Sequence, residues 1–517
     1  ISSGGGLVYV TDYLAERVNV YEAATGNLLN FYSVDMDFLT DNNEYAQSPA
    51  IAVEQGPFAG GTDLTISSGS TVNVTNDGDE LLSNDNSAVL NIADLDTALA
   101  GNGDVTVVTG AGGANSQDGD LTVDIALDFD GAGTTLLNLH GTDDVIINQS
   151  ISDSDTATAD VLNLVIEADT TTRQDGGSPE GQGNVDINAS IDTAGGDLTV
   201  TGNDFDNTSG EITANSVSLG VDAPVAVNDD PMANVTVGAA INATGDFSSF
   251  GTGNFTADAK ITAGGDVTVT HDGAVDINAD IDPVNVTVSG DSIESTGAAI
   301  VASTQVSLDA VTTADVGDVT APTLALNDTP TVNVHGTVAV DTLSYANVTD
   351  LNILTGGTVD VPTFTQAGNT VTLDGGTLEF DNLSVSGGTF NFTAGEIIIA
   401  RDADLDEPQL AHVLGTSREL GPTQTLTVQG ELLVMDDTTI AGGTMNADEI
   451  TLLDRENLSG FGTIAGPFFG ERRSELTAAA GQSLTVGDVS DFKGFSTEGD
   501  LIVESGATLV IQDRYFA

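Results

Sequence analysis

The residues with the clearest capacity for chemistry in this chain are closely spaced aspartates. They form three clusters, namely Asp402, Asp404 and Asp406, then Asp77 and Asp79, then Asp128 and Asp130. Hard cations such as Ca²⁺ bind about six to eight oxygen ligands, and alternating carboxylates offer several within a short reach. The sequence therefore predicts calcium as the bound cofactor, with these aspartates as its ligands.

The Asp402 cluster matches a calcium loop only in part. Glu407 stands where the loop has a glycine, and Val413 stands where it has a bidentate glutamate. The regular calcium-binding nonapeptide repeat is also absent. Solvated turns therefore remain the alternative interpretation of all three clusters.

The net charge limits the partners of the chain. Asp and Glu number 79 against 10 Lys and Arg, which gives a formal net charge of −69, and Lys260 and Lys493 are the two lysines. Such a polyanion repels phosphate backbones and anionic lipid headgroups. We expect no nucleic acid partner and no direct binding to anionic membranes, whereas divalent cations are expected partners. The alternative is an acidic surface that keeps the protein hydrated in salty surroundings.

Enzymatic function has little support in the sequence. The histidines His140, His271, His335 and His412 lack metal-ligand spacing, and we predict that they occupy solvent-facing strand or turn positions. No Gly-x-Ser-x-Gly motif marks a nucleophile, although stacking could still assemble Ser, His and Asp. A polysaccharide-active enzyme is the rival hypothesis, but basic residues are scarce and Trp is absent. We predict that the protein is not an enzyme.

Asn-x-Ser/Thr sequons recur along the chain. They begin at Asn73, Asn188, Asn234, Asn254, Asn285 and Asn391. They indicate either glycan acceptors or the polar face of solvent-exposed strands.

A repeat of about 20 residues must position all of these side chains. Residues 185–191 and 275–281 share the pattern Val-Asp-Ile-Asn-Ala-x-Ile, with a looser copy at 145–151. Residues 194–200 and 263–269 share Ala-Gly-Gly-Asp-x-Thr-Val. The repeat is marked by corner isoleucines, namely Ile191, Ile212, Ile241, Ile261, Ile281 and Ile300. The longest interval, Ile212 to Ile241, predicts an outward loop at residues 221–231.

This repeat predicts an all-β parallel β-helix (β-solenoid), expected to be right-handed, with coils of about 20 residues. Alternating strands place apolar side chains in a narrow interior and Thr and Asn in water. We expect the Gly-Gly-Asp corners to supply positive φ values, and stacked Asn and Thr to satisfy polar groups there. About 20 coils at about 4.8 Å each would make a rod about 100 Å long.

The predicted organisation has four parts. Residues 1–55 form an N-terminal hairpin or cap, 56–400 the solenoid, 401–420 a protruding loop or short helix, and 421–517 the C-terminal coils. Residues 7–27 resemble one blade of a YVTN or NHL-type propeller, but a single blade cannot close a propeller. The alternative for residues 1–55 is an arm that pairs with the edge strand of a neighbouring subunit.

The repeat style, including Gly-Phe-Gly-Thr-Ile at 460–464 and Gly-Asp-Leu-Ile-Val at 499–503, resembles autotransporter passengers and filamentous-haemagglutinin-like bacterial surface proteins. This resemblance covers residues 140–517. It implies a right-handed β-helix exported to the cell exterior, with adhesion or scaffolding as its role. Because the chain begins at Ile1, we expect a mature or trimmed protein.

The function that we predict is therefore mechanical. The chain is expected to be an extracellular or cell-surface rod whose copies join end to end into a fibre or surface layer. The termini depart from the repeat, and the last residues, 513–517, are expected to contribute to complementary ends. The alternative is a monomeric adhesin stalk that binds a surface glycan.

Overall fold

The protein is described by a computed structural model. It describes the backbone of four strands within residues 2–33, and then residues 62–110, 117–129, 133–152, 161–168, 183–220, 232–415, 418–435, 437–487 and 494–512. Strands make up 64% of the structure, so the predicted all-β class is confirmed.

The first strands form a sheet of their own. They are β1 (Ser2–Gly4), β2 (Leu7–Asp12), β3 (Arg17–Glu22) and β4 (Leu28–Ser33). Each pairs antiparallel with the next. The N-terminal element is therefore a four-stranded meander, larger than the hairpin that the sequence predicts. Its role as a cap or arm stays a prediction.

The other strands form one continuous hydrogen-bonded ladder. Its first part contains β5 (Leu64–Ser67), β6 (Val74–Asn76), β7 (Glu80–Ser83), β8 (Ala88–Asn91), β9 (Asp104–Val108), β10 (Leu121–Val123), β11 (Leu127–Asp128), β12 (Thr134–His140), β13 (Val145–Ile147), β14 (Ile151–Ser152) and β15 (Val161–Glu167). Next come β16 (Val185–Ile187), β17 (Ile191–Asp192), β18 (Leu198–Thr201), β19 (Asp204–Asp206), β20 (Ile212–Ala214), β21 (Val217–Leu219), β22 (Asn234–Val237), β23 (Ile241–Ala243), β24 (Phe247–Gly251), β25 (Phe255–Ala257), β26 (Ile261–Ala263), β27 (Val267–His271), β28 (Ala274–Ile277) and β29 (Ile281–Asp282).

Longer strands follow because the hydrogen bonding continues through the corners. They are β30 (Asn285–Glu294), β31 (Ala299–Val301), β32 (Gln305–Val316), β33 (Asp318–Asn327), β34 (Thr331–Val334), β35 (Thr337–Ala346), β36 (Asp350–Leu354) and β37 (Thr358–Ile399). The ladder ends with β38 (Ala403–Asp404), β39 (Glu419–Leu420), β40 (Gln424–Val434), β41 (Thr438–Leu452), β42 (Asn457–Ala465), β43 (Phe468–Gly470), β44 (Glu475–Ala478), β45 (Ser483–Val486), β46 (Phe495–Thr497), β47 (Asp500–Val503) and β48 (Thr508–Ile511).

The pairing register is that of a solenoid-like coil. From β10 to β27 each strand pairs in parallel with the strand three places further along the chain, so one turn contains three strands. The corner isoleucines pair with one another through the described ladder, Ile191 with Ile212 and onward to Ile281 with Ile300. The sequence-based choice of these isoleucines as markers of successive coils is confirmed.

The interior is a column of aliphatic side chains. Short strands such as β20 and β26 alternate buried, half-buried and buried positions, because successive side chains on a strand point to opposite faces. Ile212, Ile241 and Ile261 are each 0% exposed. Aromatic residues enter the column in places, and the Phe364 and Phe380 rings stack with centroids 6.5 Å apart.

Asparagine and aspartate side chains extend the ladder at the corners, as predicted for asparagine. The Asp204 carboxylate accepts a hydrogen bond from the Asn234 backbone N–H (2.9 Å), the Asn234 side chain accepts from the Asn254 N–H (3.0 Å), and the Asn254 side chain accepts from the Ala274 N–H (2.9 Å). Each side chain therefore satisfies a backbone donor one coil away.

The Gly-Gly-Asp corners correct one prediction. Gly195 has a φ of 91°, but in the second copy Gly264 and Gly265 do not have positive φ values. There the cause is space, because a Cβ on Gly264 would overlap the carbonyl oxygen of Thr244 in the preceding coil. Positive φ is therefore not the shared reason for these glycines.

Two helices interrupt the described ladder. Helix α1 (Ile92–Asn102) lies between β8 and β9, and the Asn91 side chain caps it by accepting from the Ala93 N–H at 2.8 Å. Helix α2 (Pro408–Leu414) falls within residues 401–420, where the sequence predicts a protruding loop or short helix, and it buries Leu410, Val413 and Leu414. It therefore packs against the ladder and does not protrude freely. Neither helix is long and apolar enough to cross a membrane.

Candidate functional site

The carboxylates of the Asp402 cluster each have a different partner. The Asp402 carboxylate accepts from the Glu431 backbone N–H at 2.8 Å, in the next coil. The Asp404 carboxylate accepts from the Asp406 N–H at 2.8 Å, and Asp406 forms an ion pair with Arg418 at 3.2 Å. Each carboxylate thus has a protein partner that stabilises the turn before α2.

An arginine strengthens this corner. The Arg401 guanidinium forms a two-pronged pair with the Glu407 carboxylate, with N–O distances of 3.1 and 2.9 Å. It also donates to the carbonyl oxygens of Asp381 and Asp402. The Glu407 hydrogen bonds raise the pKa of Arg401 above its ordinary value. Glu407 stands where a calcium loop has a glycine, and the cation that its carboxylate binds is the guanidinium of Arg401.

The other predicted ligands are dispersed. Asp77 and Asp79 are exposed at the turn between β6 and β7, where the Asp77 N–H bonds to the Glu80 carbonyl oxygen at 3.0 Å. Asp128 is exposed on β11, and Asp130 lies outside the described residues. Within the described ranges, no group of three or more His, Asp or Glu side chains could hold a metal ion. Calcium binding therefore stays a prediction.

An acidic column that the sequence analysis missed runs along the start of one sheet. The register places Asp63, Asp120 and Asp144 one before the paired residues Leu64, Leu121 and Val145. Burial, reinforced by the charges of Asp63 and Asp144, raises the pKa of Asp120 to about 6. The three aspartates are spaced unevenly in sequence, because segments of different length separate them, so a search for a regular period does not find the column.

Stacked carboxylates perturb one another elsewhere in the ladder. Asp186 pairs in register with Asp206, and Asp276 pairs with Glu294. Burial first, and then these and other neighbouring carboxylates, raise the pKa values of Asp186 and Asp276. Because the strands stack parallel and in register, carboxylates of successive coils lie beside one another and repel.

His271 corrects the prediction that the histidines face solvent. It is 3% exposed in the interior, where its Nε2 lies 2.9 Å from the Ser249 hydroxyl oxygen and its ring lies 5.5 Å from that of Phe255. Burial lowers the pKa of His271 to about 4. The His271 and Ser249 side chains are both enclosed in the core, so their contact packs one coil against the next.

The remaining histidines contact polar partners at half-buried or exposed positions. His140 lies 3.3 Å from the Glu167 carboxylate, and His335 lies 3.4 Å from the Asp315 carboxylate. His412 on α2 lies 3.1 Å from the buried Gln366 side chain. These contacts join adjacent parts of the ladder and do not bring the histidines together.

The sequon asparagines are mostly committed to hydrogen bonds. The side-chain amide nitrogen of Asn73 donates to the Asn86 carbonyl (3.0 Å), and that of Asn285 donates to Asp266 (2.7 Å). The Asn188 amide donates to Asn148 at 3.2 Å. Asn391 is exposed. These amides contribute to corner ladders, which favours the strand-composition interpretation of the sequons.

The N-terminal end of the ladder is covered. Val72 and Val89 exchange two backbone hydrogen bonds of 2.9 Å at the outer edge of β8, and β6 pairs antiparallel with the outer edge of β7. Helix α1 closes the interior with Leu95 (0% exposed) and Leu99 (3%). This cap belongs to residues 62–110, beyond the segment 1–55 for which the sequence predicts a cap.

The C-terminal end differs. Strands β46, β47 and β48 pair with β43, β44 and β45, and no described strand covers their other side. Leu501 and Val503 pair with the interior residues Leu476 and Ala478, yet they are 40% and 51% exposed against 1% and 0%. The interior-facing side chains of Leu501 and Val503 are thus partly accessible to solvent.

No protein-family model, curated protein or solved structure matches the chain.

Proposed function

We propose that the protein is an extracellular structural rod: a right-handed β-solenoid with coils of about 20 residues, whose copies join end to end into a fibre or surface layer. The observation that carries this proposal is the parallel pairing of successive coils in the described ladder, which holds strand by strand from β10 to β27. Ile241 pairs with Ile261, Ile261 pairs with Ile281, and Ile281 pairs with Ile300, so the coils here repeat almost without change in length. An array in which each coil contacts only its neighbours along one axis suits a rod-like structural role.

The net charge and the hydrogen bonds at the corners support the same role. The net charge of −69 disfavours lateral clumping of parallel rods. Described corner side chains such as those of Asp204, Asn234 and Asn254 form hydrogen bonds between coils, which stabilise the ladder. Divalent cations would act by screening or bridging acidic surfaces, including the Asp402 corner. We keep cell-surface location and the absence of enzymatic activity as parts of this proposal.

Electron microscopy of the purified protein with and without millimolar calcium tests the proposal. We expect rods about 100 Å long, or multiples of that length, from about 20 coils spaced about 4.8 Å apart. Assemblies that disappear on chelation would make cations part of the joint. Single rods under every condition would contradict self-assembly and favour the adhesin stalk, in which case a ligand-binding face would have to be sought by glycan-array binding.

A further inference from the structure

We propose that an arginine corner, defined as Arg455, Arg472 and Arg473, binds the acidic outer face of a second copy of the chain, so that rods also join side by side. The corner lies in the turn between β41 and β42 and in the turn between β43 and β44. This inference rests on the proposed rod and goes beyond its end-to-end joint, because it concerns the sides of the ladder.

The two turns of the arginine corner stack on each other. The pairing of β43 with β41 and of β44 with β42 gives both turns the same length, so Arg455 and Arg473 occupy equivalent positions in successive coils. The Glu471 carboxylate accepts a hydrogen bond from the Asp454 backbone N–H at 3.0 Å, which joins one turn to the other. Two guanidinium side chains therefore start about 4.8 Å apart along the ladder.

These arginines stand at strained and exposed positions. The φ values of Arg455 and Arg473 are 74° and 67°, in the left-handed region that long side chains rarely adopt. The Arg455 side chain is 70% exposed and lies 3.6 Å from the Asp454 carboxylate of its own turn. Arg472 and Arg473 are exposed, and no residue of the described ranges forms an ion pair with either. Their donors are therefore available to carboxylates outside the chain.

A second copy offers carboxylates at the matching spacing. The outer carboxylate column, defined as Asp276, Glu294 and Asp315, pairs in register through three successive coils. Its positions are half-buried or exposed on the outward side of β28, β30 and β32. Burial and then the neighbouring charges of Glu294 and Asp258 raise the pKa of Asp276, so the stacked carboxylates repel one another.

The arginine corner and the outer carboxylate column share the coil spacing of about 4.8 Å. Guanidinium and carboxylate groups can therefore pair in step, and each pair reduces the repulsion within both surfaces. With 79 acidic residues against 10 basic ones, the rest of the two rods repels. We expect association near physiological ionic strength, where a Debye length of about 8 Å screens distant charges more than groups in contact.

The contact is heterologous because the two surfaces differ and lie in different coils. Such a contact does not close on itself, so each rod binds one neighbour through its arginine corner and another through its outer carboxylate column. We expect staggered sheets of rods, which is the geometry of a surface layer.

Sedimentation velocity of charge variants tests the arginine corner. Arg472→Gln combined with Arg473→Gln removes two positive charges and should weaken association by about tenfold, because the charged hydrogen bonds to the partner are lost. Lys260→Glu lowers the net charge by the same amount at a 51% exposed position outside the corner. It should leave association unchanged.

Glycine variants separate binding from folding. Glycine adopts positive φ without steric cost, so Arg455→Gly combined with Arg473→Gly should keep or raise the thermal midpoint while association is lost. A fall in the thermal midpoint with association intact would assign these arginines to turn structure and overturn the inference.

Single cysteines test which surfaces meet, since the chain has no cysteine of its own. Asp454→Cys places a thiol beside the arginine corner, and Thr296→Cys places one beside Glu294 at an exposed turn. We expect a short bis-maleimide to cross-link a mixture of the two variants and neither variant alone. Cross-linking of Asp454→Cys with itself would show that two corners meet, which overturns the pairing of unlike surfaces.

The outcomes separate this inference from the proposed function. In electron microscopy the double glutamine variant should keep end-to-end fibres and lose sheets. Sheets that persist in this variant would overturn the inference and leave the rod standing, whereas sheets of wild-type rods without end-to-end fibres would contradict the end-to-end joint alone. A wild-type protein that forms no lateral contact but binds dextran sulfate through these arginines would overturn the second copy as partner and assign the corner to an acidic polysaccharide.

Discussion

The substitution Ile261→Ala tests the interior of the ladder at one coil. Ile261 is 0% exposed and pairs in register with Ile241 below and Ile281 above. Truncation removes its buried methyl and methylene groups and leaves a gap between two coils, at a cost of about 2 to 5 kcal/mol in the free energy of unfolding. The neighbouring Thr262 is half-buried on the opposite face of the same strand, so Thr262→Ala should cost less than about 1 kcal/mol.

Hydrogen exchange measured by mass spectrometry is the suitable assay, because a repeat array opens locally. We expect amides in β23, β26 and β29 to exchange roughly 30-fold to several-thousand-fold faster in Ile261→Ala, by conversion of that free energy. Peptides from the distant coils around β40 should be unaffected. Equal effects from Ile261→Ala and Thr262→Ala would refute the assigned faces, and a uniform effect along the chain would refute the coil-by-coil arrangement.

Three further predictions concern titration and backbone space. The pKa of His271 falls from 6.5 to about 4 in the folded state. The free energy of unfolding should therefore be unaffected by this group above pH 6.5 and decline by up to about 3 kcal/mol towards pH 4. His271→Gln should flatten this part of the pH–stability curve, measured by chemical denaturation. The raised pKa of Asp120 has the opposite sign, with stability lost as pH rises through about 6, so Asp120→Asn should stabilise the protein at pH 7 by about 1 kcal/mol after solvent screening and have little effect at pH 4. Gly264→Ala should lower the thermal midpoint, because its Cβ meets the Thr244 carbonyl, whereas Gly297→Ala has only one atom nearby, at 3.9 Å, and should leave the midpoint within about 2 °C. A neutral Gly264→Ala would show that the coils are further apart than described.

The coil register could be predicted because two simple periods coincide in the sequence. Alternation along each strand assigns the faces, and recurrence of the same pattern from coil to coil assigns the stacking partners. That was enough to identify Ile212, Ile241 and Ile261 as neighbours in space. The same alternation contained the signal for His271, which follows Val267 and Val269 on the interior parity of β27. The prediction that His271 faces solvent, which follows from the polarity of its side chain, assigns it to the wrong face.

The candidate sites were harder to predict because their geometry depends on partners far apart in sequence. Asp402, Asp404 and Asp406 alternate as calcium ligands do, but their carboxylates bond to Glu431, to the local backbone and to Arg418. Segments of irregular length between Asp63, Asp120 and Asp144 obscure the acidic column. The predicted loop at 221–231, Asp130 and the terminal residues 513–517 lie outside the described residues.

The most direct test of the rod is small-angle X-ray scattering from the monomer peak of the protein, separated from any assemblies by size-exclusion chromatography. We expect a skewed distance distribution with a maximum dimension of at least about 100 Å and a narrow, constant cross-section. A symmetric distribution with a radius of gyration of about 24 Å, as expected for a compact globule of this chain length, would contradict it.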